Sequence, residues 1–317
     1  MKRLFALLAA FALSAQAQDY PSKPVRLIVP LAAGGIADNL ARTLGQKITE
    51  ATRQPVLVDN RPGAAMVIGT ELAAKAPADG YTLLMGGAGS LTVLPLLRKD
   101  LPYDAAKDFA PVVDIVVFAN LLVVHPSVPA RSLKELIALA KANPGKLSFA
   151  SQGIASSGHM VGEQFKQVAG IDIVHVPYKG AAPAVQDLVA GQVSMMFDSV
   201  LVSMPHARAG RLRALAITSA ERNPGAPEVP TMAEAGLPGL EAGVWFGLFA
   251  PAGTPRPVIE WWNRETRRVF SEPAVRERWI MQGAALDLGS PEQFAAMMAA
   301  DSERWSRVVR AGGIKAE

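Results

Sequence analysis

Arg26-Leu27-Ile28-Val29-Pro30-Leu31-Ala32-Ala33-Gly34-Gly35-Ile36-Ala37-Asp38 is the stretch that decides how this chain reads. An apolar run stops at a proline, passes through a loop of small residues and enters a helical pattern. That is a buried strand feeding a helix through a turn without bulky side chains. Such a turn aims free backbone N–H groups at whatever sits above the strand end, and the helix dipole favours an anion there. A second loop of this kind, Ser151-Gln152-Gly153-Ile154-Ala155-Ser156-Ser157-Gly158-His159, follows the strand pattern at 147–150. Two such loops, with no catalytic constellation around them, point to a receptor for a small acid.

The first residues read as a leader rather than as part of the fold. Lys2-Arg3, an apolar run from Leu4 to Leu13 and the small-x-small site Ala15-Gln16-Ala17 form a secretory signal peptide over 1–17. Its apolar run is about half of the roughly 20 residues a membrane span needs. The remaining chain of about 300 residues exceeds the usual single core, so two lobes are expected. Half of the residues are hydrophobic and 19% charged, which excludes a disordered chain. The net charge of +4 falls to +2 once Lys2 and Arg3 are removed, and no Lys/Arg cluster with interleaved aromatics exists. Nucleic acid is therefore not expected as a partner. The absence of cysteine removes disulfides and thiolate chemistry, and fits an exported bacterial protein of the periplasm. The four histidines, His125, His159, His175 and His206, show no metal-ligand spacing, so neither metal nor cofactor is expected.

Strand and helix patterns alternate with short connections, the signature of α/β architecture with mostly parallel sheets. Strands are expected at 25–30, 56–60, 81–86, 121–124, 147–150, 173–177, 193–197, 212–217 and 244–250. Helices are expected at 36–51, 64–75, 157–168, 182–190, 203–209, 256–270 and 291–310. Ser132-Leu133-Lys134-Glu135 is a capping box that opens a further helix. Gly170, Gly191 and Gly210 stand where helices end. The last helices lack strands of their own and are expected to return to the first lobe. The resulting division is 18–120 with 246–317 for lobe one, and 121–245 for lobe two.

The candidate ligand-binding residues are Leu31, Ala32, Ala33, Gly34, Gly35 and Asp38 from the first loop. Ser90 comes from Gly86-Gly87-Ala88-Gly89-Ser90-Leu91-Thr92, which fails as a dinucleotide fingerprint because it reads G-x-G-x-x-T. The second loop supplies Ser151, Gln152, Gly153, Ser156, Ser157 and His159, with His159 packing or capping behind the hydroxyls. Lys179 and Asp198 end the following strands. Ser156 or Ser157 beside His159 could suggest a nucleophile, but there is no G-x-S-x-G elbow and no orienting carboxylate. Either serine is more often a helix N-cap than a nucleophile, and both are read as neutral hydrogen-bond donors to an anion.

At these residues the chain resembles the Bug-type receptors, the solute-binding component of tripartite tricarboxylate transporters. The resemblance runs through Ile28-Val29-Pro30 to Asp38, Asp59-Asn60-Arg61-Pro62-Gly63-Ala64, Ala78-Asp79-Gly80-Tyr81-Thr82-Leu83-Leu84 and Leu101-Pro102-Tyr103-Asp104. It continues in His125-Pro126, Gly158-His159, His175-Val176-Pro177-Tyr178-Lys179-Gly180 and Ala250-Pro251-Ala252-Gly253-Thr254-Pro255. It implies a type II-like periplasmic binding protein of two lobes that closes on a small carboxylic acid: an amino acid, a di- or tricarboxylate, or an aromatic acid. It further implies a monomer that delivers its solute to integral membrane transporter subunits. In such receptors the loop matching Leu31 to Gly35 holds the carboxylate through backbone groups and ordered waters, opposed by the loop matching Ser151 to Ser157. The resemblance also raises Asp198 as a site residue. This chain departs from the pattern at Leu31-Ala32-Ala33, where the family usually carries an aromatic residue and a proline; the smaller residues leave more room. A sensor presenting itself to a signalling protein, and an exported serine hydrolase, are the alternative readings.

Overall fold

The computed structural model describes residues 20–314, so the leader expected at 1–17 lies outside the described residues. The chain opens β1 (Val25–Val29), α1 (Ile36–Thr52), β2 (Val56–Asn60), α2 (Val67–Ala74), β3 (Thr82–Gly87). After a wide π turn (Gly89–Val93) and a single-turn α3 (Leu94–Leu97) it enters the long β4 (Phe109–Val124). Next come α4 (Leu133–Ala142), β5 (Ser148–Ser151), α5 (Ser157–Ala169), β6 (Val174–Pro177), α6 (Ala181–Val189), β7 (Met195–Ser199), α7 (Val200–Arg208) and β8 (Arg213–Ile217). The chain closes with β9 (Gly243–Pro251), α8 (Arg256–Ser271), α9 (Pro273–Met281), β10 (Ala284–Leu286) and α10 (Pro291–Gly312).

The strands order as β2-β1-β3-β9-β4-β7-β5-β6, with β10 and β8 also paired to β4. β2, β1 and β3 are parallel, as are β6, β5 and β7. β4 and β9 run antiparallel to each other, and β4 runs antiparallel to β7. Residues 109–119 of β4 pair with β9, whereas residues 120–124 pair with β7 and β8. The fold is therefore a two-lobed α/β protein in which one strand belongs to both sheets. β8 and β9 meet end to end along it: Ile217 faces Leu121 and Gly243 faces Ala119.

The helices obey their sequence patterns. α1 buries Ala37, Leu40, Ala41, Leu44 and Ile48, one stripe at helical spacing, and ends on the left-handed Arg53. Ser132 caps α4 by accepting from the Glu135 N–H. Glu135 reaches back to the N–H of Arg131 rather than to that of Ser132, so the box is only half closed. α10 carries the complete capping box, Ser290 with Gln293, and closes on Gly313 in the left-handed region.

Four expectations needed correction. The apolar run 121–124 is only the last part of a 16-residue strand, whose first part is broken by Pro111 and two bulges and so lacks a clean alternation. The expected helix 64–75 begins with a left-handed turn at Ala64–Met66 and becomes α-helical only at Val67. The expected helix 203–209 starts at Val200, carried through Pro205 within the helix. The returning helices do have a strand: β10 sits between α9 and α10 and pairs with β4. Nor does α10 cover one lobe alone. It packs on β4 and on α5, where Gln167 Nε2 donates to the Val308 carbonyl at 2.9 Å.

One buried group sits uneasily in this frame. Asp114, between the bulges of β4, is 1% exposed and neither carboxylate oxygen has a hydrogen-bond partner. Burial, followed by the nearby carboxyls of Asp287 and Asp301, pushes its pKa up to about 8. Below the ordinary aspartate value both folded and unfolded chains hold the proton, and stability is at its fullest. As pH rises toward 8 the unfolded chain ionises while the folded one does not, so stability falls. Asp114→Asn is expected to flatten this decline and to stabilise the protein by up to about 5 kcal/mol at pH 9, with little effect near pH 4. Denaturant unfolding across that pH range checks it.

Candidate functional site

The C-terminal ends of β1 and β5 carry the two loops, each opening directly into a helix. In the first, side chains turn the carbonyls inward. Asn60 Nδ2 donates to Leu31 O at 3.1 Å, and Asn39 Nδ2 donates to Gly34 O at 3.4 Å. Asp38 Oδ2 accepts from the Gly34 N–H at 2.8 Å and from Arg42 Nε at 2.9 Å. Burial raises the Asp38 pKa, but the hydrogen bonds from Arg42 and Gly34 outweigh it and hold the carboxyl below its ordinary value. Asp38 thus stays charged and serves as a brace behind the loop. Ala32, Ala33, Gly34 and Gly35 remain exposed, and Gly35 caps α1 without any side-chain hydrogen bond. The first-turn N–H groups of α1 have no acceptor within the helix.

The second loop is knitted more tightly. Ser151 Oγ brackets Gly153, donating to its carbonyl at 3.1 Å and accepting from its N–H at 3.2 Å. Ser156 Oγ also donates to the Gly153 carbonyl, at 2.6 Å, and accepts from the His159 N–H. Ser157 Oγ donates to Asn120 Oδ1 at 3.2 Å, tying the start of α5 to β4 at the point where that strand changes sheets. Gln152 Nε2 donates to Asp198 Oδ1 at 2.9 Å, and Ser203 Oγ donates to Asp198 Oδ2 at 2.7 Å. Burial raises the pKa of Asp198, and the hydrogen bonds from Ser203, Ser199 and Gln152 oppose it. Ser199, not Asp198, caps α7.

The candidates therefore divide by depth. Leu31, Ala32, Ala33, Gly34, Gly35, Gln152, Gly153, Ser156, Ser157 and Lys179 reach the surface of the loops in full or in part. Asp38, Ser90, Ser151, His159 and Asp198 are buried supports. Ser90 sits inside the π turn with its hydroxyl toward Gly87 O, and its own carbonyl accepts from Tyr103 OH. Neither Ser156 nor Ser157 touches an imidazole nitrogen. At this loop the Ser–His contact is Ser151 Oγ to His175 Nε2 at 2.7 Å, which lies beneath the loop with Ser151 fully buried. Among the described residues no group of His, Cys, Asp or Glu is placed to hold a metal ion.

Three contributors escaped the sequence patterns. Asn120 and His175 look like ordinary strand residues, although His175 lies in a motif that carries the family resemblance. The third is Ala64-Ala65-Met66, with φ of 45°, 53° and 76°. Left-handed backbone costs a non-glycine residue about 1–2 kcal/mol, and three in a row must be over-determined by their surroundings. Met66 packs against Gly89, and a Cβ on Gly89 would lie 3.5 Å from the Ala155 carbonyl oxygen. The first lobe thus touches the second loop here.

α5 is seated by two glycines one turn apart. A Cβ on Gly158 would stand 2.6 Å from the Phe197 carbonyl oxygen, and one on Gly162 would stand 2.1 Å from the Phe149 ring. Gly158→Ala is expected to push the N-terminus of α5 off β7 and to destabilise the protein by about 1–3 kcal/mol in denaturant unfolding.

The comparisons with known proteins bear on the fold and the family. The model of the tripartite tricarboxylate transporter family receptor matches residues 40–314. BugT of Bordetella pertussis is 38% identical over 322 residues, with 99% of both chains covered. A protein from the tcbD-tcbE intergenic region of Pseudomonas sp. strain P51 is 43% identical, covering 92% of this chain and 86% of the relative. Among solved structures, R. palustris Rpa4515 with adipate superposes with a TM-score of 0.87 at 37% identity, covering 94% of this chain and 99% of that one. MatC from Rhodopseudomonas palustris with bound malate superposes with a TM-score of 0.82 at 33% identity, covering 92% and 100%. The matched span reaches from within α1 to the end of α10 and takes in the second loop, and with BugT covering 99% of the chain, the chain belongs to the tripartite tricarboxylate transporter receptor family, whose members are solute-binding receptors.

Proposed function

We propose that this receptor works in the periplasm, captures a small carboxylic acid between its two lobes and passes it to integral membrane transporter subunits, without catalysing a reaction. The observation that carries the reading is the polarity of the two loops. In each, side chains draw carbonyls inward while a helix begins without intrahelical partners for its first N–H groups. A carboxylate can be held by such neutral, preorganised donors with no arginine beside it. The solved relatives with adipate and malate make carboxylic acids the class to test. The arrangement of the serines argues against acyl transfer, since the exposed hydroxyls are engaged by Gly153 and Asn120 rather than by a base.

In this reading residues 18–120 with 246–317 form one lobe and 121–245 the other. The support is the change of partners along β4 between Ala119 and Asn120. An open groove of about 570 Å³ lies at that junction, lined by Val117, Ala119, Thr218, Ala242 and Ala285. Closure would remove water from the loops and strengthen each hydrogen bond to the bound anion. The periplasmic assignment rests on the leader pattern at 1–17 and on the family. No helix among the described residues is long and apolar enough to cross a membrane.

A thermal-shift screen of residues 18–317 against mono-, di- and tricarboxylic acids, with the matching amides as controls, tests the proposal. An acid at about one hundred times its Kd adds roughly 2.7 kcal/mol, and its amide adds none. Gly35→Pro sharpens the test. The φ of Gly35 is −81°, which proline accepts, and the substitution removes one exposed N–H. The melting temperature of the free protein is expected to hold while affinity for the acid falls at least tenfold. Unchanged affinity would refute the role of backbone donors.

A further inference from the structure

We propose that His159 and His175 act as a positioning pair that holds the 151–157 loop in its donor-presenting shape, through the Nδ1 lone pair of His159, and only while His159 is uncharged. This rests on the reading of that loop as one wall of the carboxylate site. Ala155 is a non-glycine residue at φ 62°, and its N–H donates to His159 Nδ1 at 3.2 Å. That bond fixes the tautomer: Nδ1 must be bare and the proton must sit on Nε2. His175 stacks on His159 with ring centroids 4.1 Å apart and planes 14° from parallel, and its other face meets Phe149 at 4.8 Å. His175 Nε2 lies 2.7 Å from Ser151 Oγ, the hydroxyl that brackets Gly153. One imidazole therefore holds the start of the loop, the other holds its left-handed turn, and the stack couples the two.

Protonation would undo this arrangement. A proton on His159 Nδ1 sets a donor against the Ala155 N–H and places a charge in a site that is 5% exposed, against a second imidazole. The nearby charged groups are Lys166 on α5 and its ion-pair partner Glu163 at 3.0 Å. Burial first, and Lys166 second, lower His159 to about 4. Burial, then His159 and Lys166, lower His175 to about 3. Both rings are therefore neutral at neutral pH, and acid near the His159 value releases the loop.

Two substitutions at His159 separate positioning from packing. The Oδ1 of His159→Asn can take the place of Nδ1 as acceptor, though the ring is lost. His159→Phe keeps an aromatic stack and apolar burial but removes the acceptor. Amide exchange at Ala155 in the ligand-free protein, read by NMR, is expected to stay slow in His159→Asn and to accelerate at least tenfold in His159→Phe. Corrected for intrinsic rates, wild-type protection at Ala155 should fall with a midpoint near pH 4, while His159→Asn stays flat. Affinity for adipate and malate should follow the same order. A packing role alone gives the opposite ranking, and that ranking, or slow exchange in both variants, overturns the proposal. Should neither acid bind the wild type, the receptor reading suffers while the exchange result still decides the histidine pair.

Discussion

Everything in this molecule hangs on β4, a single bulged strand shared by two sheets. Over its 16 residues it pairs with β9 as far as Ala119, has β10 on its other side at Val116–Phe118, and changes partners to β7 and β8 from Asn120 on. β9 and β10 flank it in one lobe, β7 and β8 in the other. A sheet that continues in this way gives the lobes a common axis and a short, well-defined joint. Asn120 lies at that joint and accepts from Ser157 at the first turn of α5, so the loop of the second lobe is anchored to the joint itself. α10 reaches across the same region, joined to α5 through Gln167 and to the first lobe through Asp301, which accepts from Thr92 Oγ1 and Trp245 Nε1.

The site is built by subtraction. Small residues keep the first loop exposed, while in the second loop the polar side chains are spent on the loop's own carbonyls and N–H groups. The buried carboxylates show how context sets role. Asp38 is kept charged by Arg42 and a backbone N–H and stiffens the first loop. Asp198 is raised by burial and gathers Gln152 and Ser203 under the second. Asp114 has no partner at all and is held protonated into the neutral range. The same side chain thus acts as a brace, an anchor and a pH-dependent liability, decided by whether donors surround it.

Much of this was legible in the chain. The run Arg26 to Asp38 encoded its strand, turn and helix because apolar period, proline and small residues all agree locally, and local agreement is what a sequence can express. The capping serines Ser132, Ser156 and Ser290 sit where their helices start for the same reason. Of the C-terminal helices, α8 and α10 were legible and the short α9 between them was not. β10 was not, because three residues carry too little pattern. The first part of β4 was hidden by Pro111 and its bulges, and its length depends on partners that arrive from residues 243–251 and 284–286.

The sequence by itself determined most of the strand and helix order, the two small-residue turns and the family, all of which rest on residues close together in the chain. Tertiary structure alone decided which candidates face outward and which support from behind. Asp38, Ser90, Ser151, His159 and Asp198 are polar on paper, and only the packing of neighbouring strands and helices buries them. The stacking of His159 on His175 joins a helix to a strand 16 residues further along, and the Asn120–Ser157 bond joins residues 37 apart. No local pattern can carry such pairs. They exist because β4, β5, β6 and β7 align in one sheet and bring the ends of their loops together.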